Sequence, residues 1–210
     1  MNINDWIQRW EDGSIGWHEP YGNNSLKEEW NFSSDKVLIP LCGKSPDIKW
    51  LALRGHDVVG VEISDVAIRQ FFEEQNLKFR IKPSNNHNCY ECIELPINIY
   101  SGDFFNFNIG QFDALYDRAA LIALDMKTRL AYVKHLRKLL KITAKKFVVT
   151  LEYDQDVIEG PPFSVLSNEI QSYWPDIEKV FERDDWVNCP PKFKRAGIKN
   201  ISEVVWKTKF

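Results

Sequence analysis

The feature that most constrains the fold of this chain is the alternation of short apolar segments with helical patterns from Lys36 onward. Residues 37–40 and 57–62 have the composition of buried strands. Each is followed by a segment whose apolar residues recur with helical spacing. Such alternation is typical of a parallel sheet covered by helices, so the sequence predicts an α/β fold.

Capping residues mark the first two helices of this pattern. Ser45 before Pro46 predicts a helix over residues 46–54, because serine caps free N–H groups and proline fits the first helical position. Gly55 ends that helix, and Ser64 caps the helix after the second strand. These local signals favour a Rossmann-like order of strand, helix and strand.

Later segments extend the same sheet. The patterns predict two further strands and the helix between them, at residues 112–117, 146–151 and 127–140. Residues 78–96 predict a β-hairpin or an irregular insertion, and residues 177–183 and 201–207 a closing antiparallel pair. We therefore expect a Rossmann-like sheet that is mostly parallel, has an antiparallel C-terminal strand and carries helices on both faces.

Length, charge and cysteine content limit the class of protein. The 210 residues contain no linker or repeat, so we expect one domain over residues 1–210, beginning with a helical segment over residues 1–35. The 27 basic and 30 acidic residues nearly cancel, which argues against a nucleic-acid partner. Four cysteines do not suggest a disulfide framework, and we find no signal peptide or apolar run of about 20 residues. We expect a cytoplasmic protein with reduced thiols and no membrane partner.

The turn after the first strand, PLCGKS at residues 40–45, excludes two common nucleotide motifs. A phosphate loop requires a glycine five positions before Gly43, where this chain has Leu38. A dinucleotide fingerprint requires three glycines, and the turn contains one. A pyrophosphate therefore has no cradle at this helix N-terminus.

Two carboxylates nevertheless follow strands in positions that suit a nucleoside. Glu62 ends the second strand about 20 residues after the turn, where an acidic side chain accepts hydrogen bonds from ribose. Gly102-Asp103 could meet adenine at a third strand end, although Gly-Asp is also a common turn. The less favoured alternative is that Glu62 is only an ordinary charged residue at a strand end. A nucleoside cofactor without phosphates suggests S-adenosylmethionine.

Several segments together resemble the thiopurine S-methyltransferase family. In chain order they are Trp6 and Trp10 with GWH (16–18), PLCGKS (40–45), GHDVVGVEIS (55–64), YDRAAL (116–121), and YD (153–154) followed by GPPF (160–163). The resemblance implies a class I methyltransferase fold that uses S-adenosylmethionine, releases S-adenosylhomocysteine and methylates sulfur in small aromatic or heterocyclic thiols. Bacterial members also methylate selenium and tellurium compounds, so a chalcogen acceptor is open. We expect the protein to act as a monomer.

The resemblance also implies roles for individual residues. The cofactor positions it suggests are Trp6, Trp10, Leu41, Glu62, Gly102, Asp103 and Arg118. The substrate positions are Trp17, Arg118 and Arg183, and Arg118 is the catalytic candidate.

Methyl transfer joins a cationic sulfonium donor to a nucleophile, so a dry, aligned site helps more than a strong base. Our hypothesis is that Arg118 stabilises the thiolate or orients a water that takes its proton. The alternative is a structural ion pair of Arg118 with Asp117 or with Glu62.

Tryptophans are concentrated at the N-terminus, where Trp6, Trp10, Trp17 and Trp30 account for four of the eight in the chain. Trp6 and Trp10 lie four residues apart, on one face of a helix. With Trp17 they could form a lid that places indole rings beside the sulfonium. The alternative is that Trp6 and Trp10 only anchor the helix on the core.

Four other interpretations of the sequence are less favoured. His87, Cys89 and Cys92 have zinc-like spacing but lack a fourth ligand, so no metal is expected. A nicotinamide-dependent oxidoreductase is disfavoured by the missing glycines, and a non-catalytic cofactor-binding module stays open. Pro161-Pro162 resembles part of a motif of DNA methyltransferases, but Gly160 replaces its asparagine, and we interpret it as a rigid loop over the acceptor.

Overall fold

The strands form one continuous sheet in the computed structural model, which describes residues 2–33, 35–187, 189 and 191–209. In chain order they are β1 (Lys36–Pro40), β2 (Asp57–Glu62), β3 (Phe79–Ser84), β4 (His87–Cys92), β5 (Ile97–Ser101), β6 (Phe112–Arg118), β7 (Leu140–Tyr153), β8 (Ile177–Asp184) and β9 (Ile201–Thr208). Their order across the sheet is β3-β4-β5-β2-β1-β6-β7-β9-β8.

The centre of the sheet is parallel, as predicted. Strands β5, β2, β1, β6 and β7 pair in parallel in that order. Antiparallel pairs flank them, with β3 and β4 beyond β5, and β9 and β8 beyond β7. The predicted hairpin and the closing antiparallel pair are confirmed. The antiparallel part is larger than expected, because β4 as well as β9 runs against the central strands.

Helices cover both faces of the sheet, which confirms the predicted layers. They are α1 (Ile3–Glu11), α2 (Asn24–Glu29), α3 (Asp47–Ala52), α4 (Asp65–Glu74), α5 (Met126–Leu139), α6 (Ser167–Tyr173) and α7 (Pro191–Ala196). One apolar cluster joins α2, α3 and α4 to one face of the sheet. A second cluster joins α5 and α6 to the other face. Among the described helices, none is long and apolar enough to cross a membrane.

The middle of β1 and of β2 is a continuous apolar run because both faces of these strands are covered. In β1, Val37 and Ile39 enter the cluster with α3 and α4, whereas Leu38 enters the cluster with α5. Alternate side chains of one strand point to opposite faces, so a continuous apolar run serves both cores. The strand thereby holds its polar turn, residues 41–45, at the end of the sheet.

The predicted caps are found close to their expected places. The Ser64 hydroxyl accepts from the Ala67 N–H at 3.3 Å and starts α4 as predicted. The Ser45 hydroxyl accepts from the Asp47 N–H at 3.2 Å, but α3 begins at Asp47 rather than at Pro46. Strand β7 is longer than predicted, because it follows α5 directly from Leu140.

Candidate active site

Four parallel strands end together and bring the predicted site segments to one edge of the sheet. The turn after β1 is tied to β2 by the Cys42 N–H, which donates to the Val61 carbonyl at 3.1 Å. The turn after β5 is tied to β2 by the Gly102 N–H, which donates to the Glu62 carbonyl at 2.9 Å. Ligands of open α/β sheets bind at such carboxyl ends.

Glu62 is the buried carboxylate at the centre of this edge. Its side chain is part of a residue that is 5% exposed, and its two oxygens accept from the N–H groups of Gly43 and Ser64, both at 2.9 Å. Burial raises the pKa of Glu62, while the backbone donors oppose that rise. A carboxylate has about four acceptor positions, and the backbone donors of Gly43, Ser64 and Ile63 do not fill all of them, so acceptor capacity remains for a ligand. The arrangement fits the ribose of a nucleoside.

Gly102 and Asp103 lie beside Glu62, on the neighbouring strand end. The φ of Gly102 is 148°, and a Cβ there would lie 2.6 Å from the His87 ring, so the turn needs glycine. The Asp103 carboxylate accepts from the Phe105 N–H at 3.0 Å and caps a short 3₁₀ turn. The predicted adenine region is therefore adjacent to the predicted ribose acceptor.

The His87 ring packs against Gly102, and its Nε2 faces the protein backbone, so that nitrogen is not open to a zinc ion. Its Nε2 lies 3.1 Å from the Asp103 carbonyl oxygen. Cys89 and Cys92 stand an odd number of positions apart in β4 and so project to opposite faces of the strand. Within the described ranges, no group of three or more histidine, cysteine or acidic side chains could hold a metal ion.

Arg118 ends β6 and holds the N-terminal segment against the sheet. Its Nη1 donates to the Trp17 carbonyl at 2.6 Å, and its Nη2 pairs with the Glu19 carboxylate. The alternative pairing of Arg118 with Asp117 or Glu62 is wrong. Adjacent strand residues point to opposite faces, which separates Arg118 from Asp117, and the Glu62 oxygens face backbone donors.

Asp117 is instead a buried core residue. It is 2% exposed and accepts from the Tyr132 hydroxyl at 2.7 Å and from the Leu121 N–H at 3.0 Å. Burial raises the pKa of Asp117 to about 6, against an ordinary value of 3.8. The two hydrogen bonds fix the backbone that follows β6 and so fix the base of Arg118.

Trp6, Trp10 and Trp17 form one aromatic cluster, whereas Trp30 packs in the core beside α2. The Trp17 ring meets the Trp6 ring edge-on at 5.2 Å and the Trp10 ring at 5.7 Å, between centroids. Trp10 is 5% exposed and lies on the turn after β1, where a Cβ on Gly43 would come within 2.9 Å of its Cζ2 atom. The φ of Gly43 is 54°, so this position needs glycine for its conformation as well as its space.

A narrow cleft separates this cluster from the strand ends. The residues that line it include four of the predicted set, namely Trp10, Trp17, Leu41 and Arg118. The other predicted residues lie outside it: Trp6 behind Trp17, Glu62 beneath the turn, and Gly102 with Asp103 along the sheet. The structure thus brings most of the predicted cofactor positions to one sheet edge, in two adjoining parts.

Arg183 lies on the outermost strand, β8, away from the cleft lining. Its Nη2 pairs with Glu203 Oε1 at 2.6 Å, and the same oxygen accepts from the Ser25 hydroxyl at 2.8 Å. Glu203 belongs to β9, and Ser25 belongs to α2. The predicted substrate arginine is therefore engaged by its own chain.

Sequence reasoning missed two acidic residues of the site, Glu19 and Asp47. Asp47 is 1% exposed, and its carboxylate accepts from the Tyr116 hydroxyl and from the Asn23 N–H, each at 2.8 Å. These contacts clamp the end of the N-terminal segment onto β6. Because Asp47 and Tyr116 are 69 positions apart, no local pattern could have predicted the contact.

The proline-containing loop is also held firmly beside the sheet. The Phe163 N–H donates to the Ile122 carbonyl at 2.6 Å, and the Tyr153 hydroxyl donates to the Pro162 carbonyl at 2.7 Å. Lys192 on α7 donates to the Pro161 carbonyl. The loop is thus fixed from β7, α7 and the turn after β6, which agrees with the interpretation of a rigid loop.

Sequence comparisons find relatives over nearly the whole chain. The family described as thiopurine S-methyltransferase matches residues 1–209. The chain is 37% identical over 217 residues to the thiopurine S-methyltransferase of Pseudomonas syringae pv. syringae (strain B728a), covering 98% of this chain and 97% of the relative. It is 40% identical over 207 residues to that of Aliivibrio fischeri (strain ATCC 700601 / ES114), covering 96% of each.

Solved structures share the fold at lower identity. A SAM-dependent methyltransferase from Anabaena variabilis ATCC 29413 superposes with a TM-score of 0.62 and 14% identity, over 100% of this chain and 96% of that chain. The 1,6-didemethyltoxoflavin-N1-methyltransferase of Burkholderia thailandensis, solved with its acceptor and S-adenosylhomocysteine, gives 0.61 and 15%, over 99% and 87%. The fold is that of Rossmann-like methyltransferases.

Proposed function

Since the chain belongs to the thiopurine S-methyltransferase family, we propose that it methylates the sulfur of small aromatic or heterocyclic thiols. The protein is a methyltransferase, and S-adenosylmethionine is its cofactor. The thiol acceptor is the proposed part. The observation that carries it is the cleft that Arg118 lines together with Trp10 and Trp17.

The strand ends supply groups that would hold the cofactor. Glu62 keeps free acceptor positions for ribose hydroxyls, and Asp103 stands on the next strand end, where the adenine would lie. Leu41 and Gly43 line the same cleft as the aromatic cluster, on the side of the strand ends. When bound, S-adenosylmethionine supplies an electrophilic methyl group on a sulfonium.

The N-terminal segment acts in this proposal as an aromatic lid. Trp10 and Trp17 face the cleft, and Trp6 supports Trp17 from behind. Indole rings attract a cation with about 0.5–2 kcal/mol, so the lid would favour the sulfonium while it excludes water. Because Trp10 lies directly on Gly43, the lid and the turn after β1 form one surface.

Arg118 links the lid to the reaction. It holds Trp17 and Glu19 with two of its N–H groups, and a guanidinium has further donors for a thiolate. Stabilising the thiolate keeps the nucleophile reactive at neutral pH without a dedicated base. We therefore assign Arg118 both to orientation of the acceptor and to closure of the lid.

The function is tested by transfer of labelled methyl to a thiopurine, a thiophenol, selenite and tellurite in parallel. We expect transfer to the two thiols with formation of S-adenosylhomocysteine. Binding of S-adenosylmethionine without transfer to any acceptor would favour the non-catalytic module instead. Transfer to selenite or tellurite alone would move the acceptor class from thiols to chalcogen oxyanions.

Arg118→Ala should lower kcat/KM for the thiophenol by about 100-fold, the usual effect of losing a charge-stabilising donor. Arg118→Lys keeps the charge but loses the fork, so we expect a loss of about tenfold. Arg54→Ala is the control, because that arginine stacks on Trp50 away from the cleft. Unchanged kcat/KM in both Arg118 variants would refute its role.

A further inference from the structure

Two arginine–glutamate pairs lie on the path from the cleft to the far edge of the sheet. Arg118 pairs with Glu19, and Arg183 pairs with Glu203. The two carboxylates are close enough that Glu203 raises the pKa of Glu19, a smaller effect than burial. Both arginines that the family resemblance connects with the substrate therefore meet a carboxylate of their own chain.

Glu19 is held in place by the start of α2. Its Oε2 accepts from the Asn23 side-chain amide at 3.3 Å, while Oε1 faces Arg118. Asn23 is itself fixed, since its Oδ1 caps α2 through the Leu26 N–H at 3.0 Å and its own N–H donates to Asp47. The Glu19 carboxylate is thus positioned by a buried cap rather than by its own flexible chain.

The position of the Glu19 carboxylate beside Arg118 affects which methyl acceptors can bind in the cleft. The side chain of Arg118 is 20% exposed and that of Glu19 is 37% exposed, so the pair borders the cleft and meets any ligand there. An acceptor with an additional carboxylate would have to displace Glu19 from Arg118 or stand beside a like charge. An acceptor whose only charge is its thiolate can use the remaining N–H donors of Arg118 without displacing Glu19.

We propose that Glu19 is a specificity-determining residue that selects against acceptors carrying an additional anionic group, by neutralising Arg118. This rests on the proposed function, because it concerns the acceptor of the same cleft.

The test compares thiophenol with 4-mercaptobenzoate in the wild type and in Glu19→Gln. Both acceptors carry the same thiol, so the ratio of their kcat/KM values isolates the carboxylate. We expect Glu19→Gln to raise this ratio for 4-mercaptobenzoate at least tenfold, and Glu19→Asp, which withdraws the carboxylate from Arg118, to raise it less. Glu28→Gln on the exposed side of α2 is the matched control and should leave the ratio unchanged.

A binding measurement keeps the inference separate from turnover. Calorimetry in the presence of S-adenosylhomocysteine compares 4-(methylthio)benzoate with thioanisole, which has the same thioether but no carboxylate. The benzoate should bind Glu19→Gln at least tenfold more tightly than the wild type, and the affinity for thioanisole should not change. Unchanged S-adenosylhomocysteine affinity would show that the variant is folded. If no thiol is methylated but the benzoate affinity rises, the proposed function fails and the role of Glu19 in selection stands. An unchanged preference in both assays would overturn that role.

Discussion

Asp117 and Arg118 are neighbours on β6 with opposite surroundings. Asp117 is 2% exposed and bonded to Tyr132, while Arg118 faces the cleft and the lid. The period of two in a strand is sufficient to explain the difference. One residue of the pair therefore stabilises the turn after β6, and the other one meets ligands.

The raised pKa of Asp117 predicts how stability depends on pH. A folded-state value of about 6 against 3.8 means that the folded protein binds the proton more tightly, so this contribution is present at low pH and is lost as pH rises through that window. At about 1.4 kcal/mol per pH unit, the loss is roughly 3 kcal/mol. Relative to Asp117→Asn, the wild type should lose about that much unfolding free energy between pH 4 and pH 7.

Asp113→Asn is the control for this measurement by urea unfolding. Lys141 lowers the pKa of Asp113, so its contribution is present above the unfolded value and is lost as pH falls. The Asp113 variant should therefore differ little from the wild type between pH 4 and pH 7, and should show a difference of opposite sign only below pH 4. Parallel pH curves for the wild type and Asp117→Asn would contradict the assigned environment of Asp117.

Local signals were sufficient for some site residues and not for others. Glu62 follows an apolar run, and Ser64 caps the helix after it, so both could be placed from a short stretch of sequence. Glu19 pairs with Arg118 although the two residues are 99 positions apart in the sequence, and no local sequence pattern around either residue indicates the pairing. The pairing could not be predicted because it depends on how the N-terminal segment crosses the strand ends.

At the scale of elements, the turn after β1 and the helix α1 depend on each other. Gly43 and Gly55 both have positive φ, at 54° and 89°. Only Gly43 adjoins another element, because a Cβ there would meet Trp10, whereas a Cβ on Gly55 would meet nothing within 4 Å. A substitution at Gly55 therefore tests backbone strain alone, whereas a substitution at Gly43 tests strain together with the contact to Trp10.

Replacing each glycine by alanine should give different results. Gly43→Ala and Gly55→Ala should each cost about 1–2 kcal/mol of unfolding free energy, since alanine is strained at positive φ. Only Gly43→Ala should also speed proteolysis within residues 2–20 and weaken S-adenosylmethionine binding at least tenfold. Equal proteolysis in both variants would mean that Trp10 does not close on the turn.

The strand elements were predicted more completely than the short helices. Strands β2 and β6 were placed nearly to their ends, because buried parallel strands are continuous apolar runs. Helices α6 and α7 were missed, since they have seven and six residues and too few turns for a clear periodicity.

For the whole molecule, the site combines the parallel strand ends with the N-terminal lid. A ligand that contacts both parts stabilises the folded chain by mass action, by about 2.7 kcal/mol at 100 times its Kd. For about 200 residues we expect S-adenosylhomocysteine at that concentration to raise Tm by about 5–10 °C. NAD at the same concentration is the control and should not raise Tm. An equal rise with NAD would support the oxidoreductase alternative.

The order of the last strands also bears on how the chain matures during synthesis. Strand β9 lies between β7 and β8, although it follows both along the chain. As the ribosome releases the chain from its N-terminal end, β8 has no partner in the sheet until β9 has emerged. Glu203 arrives with β9, so Arg183 and Ser25 gain their shared acceptor only then. We therefore expect the contacts of Glu203 with Arg183 and Ser25 to form later than the cofactor end of the site, whose strands β1, β2, β5 and β6 come earlier along the chain.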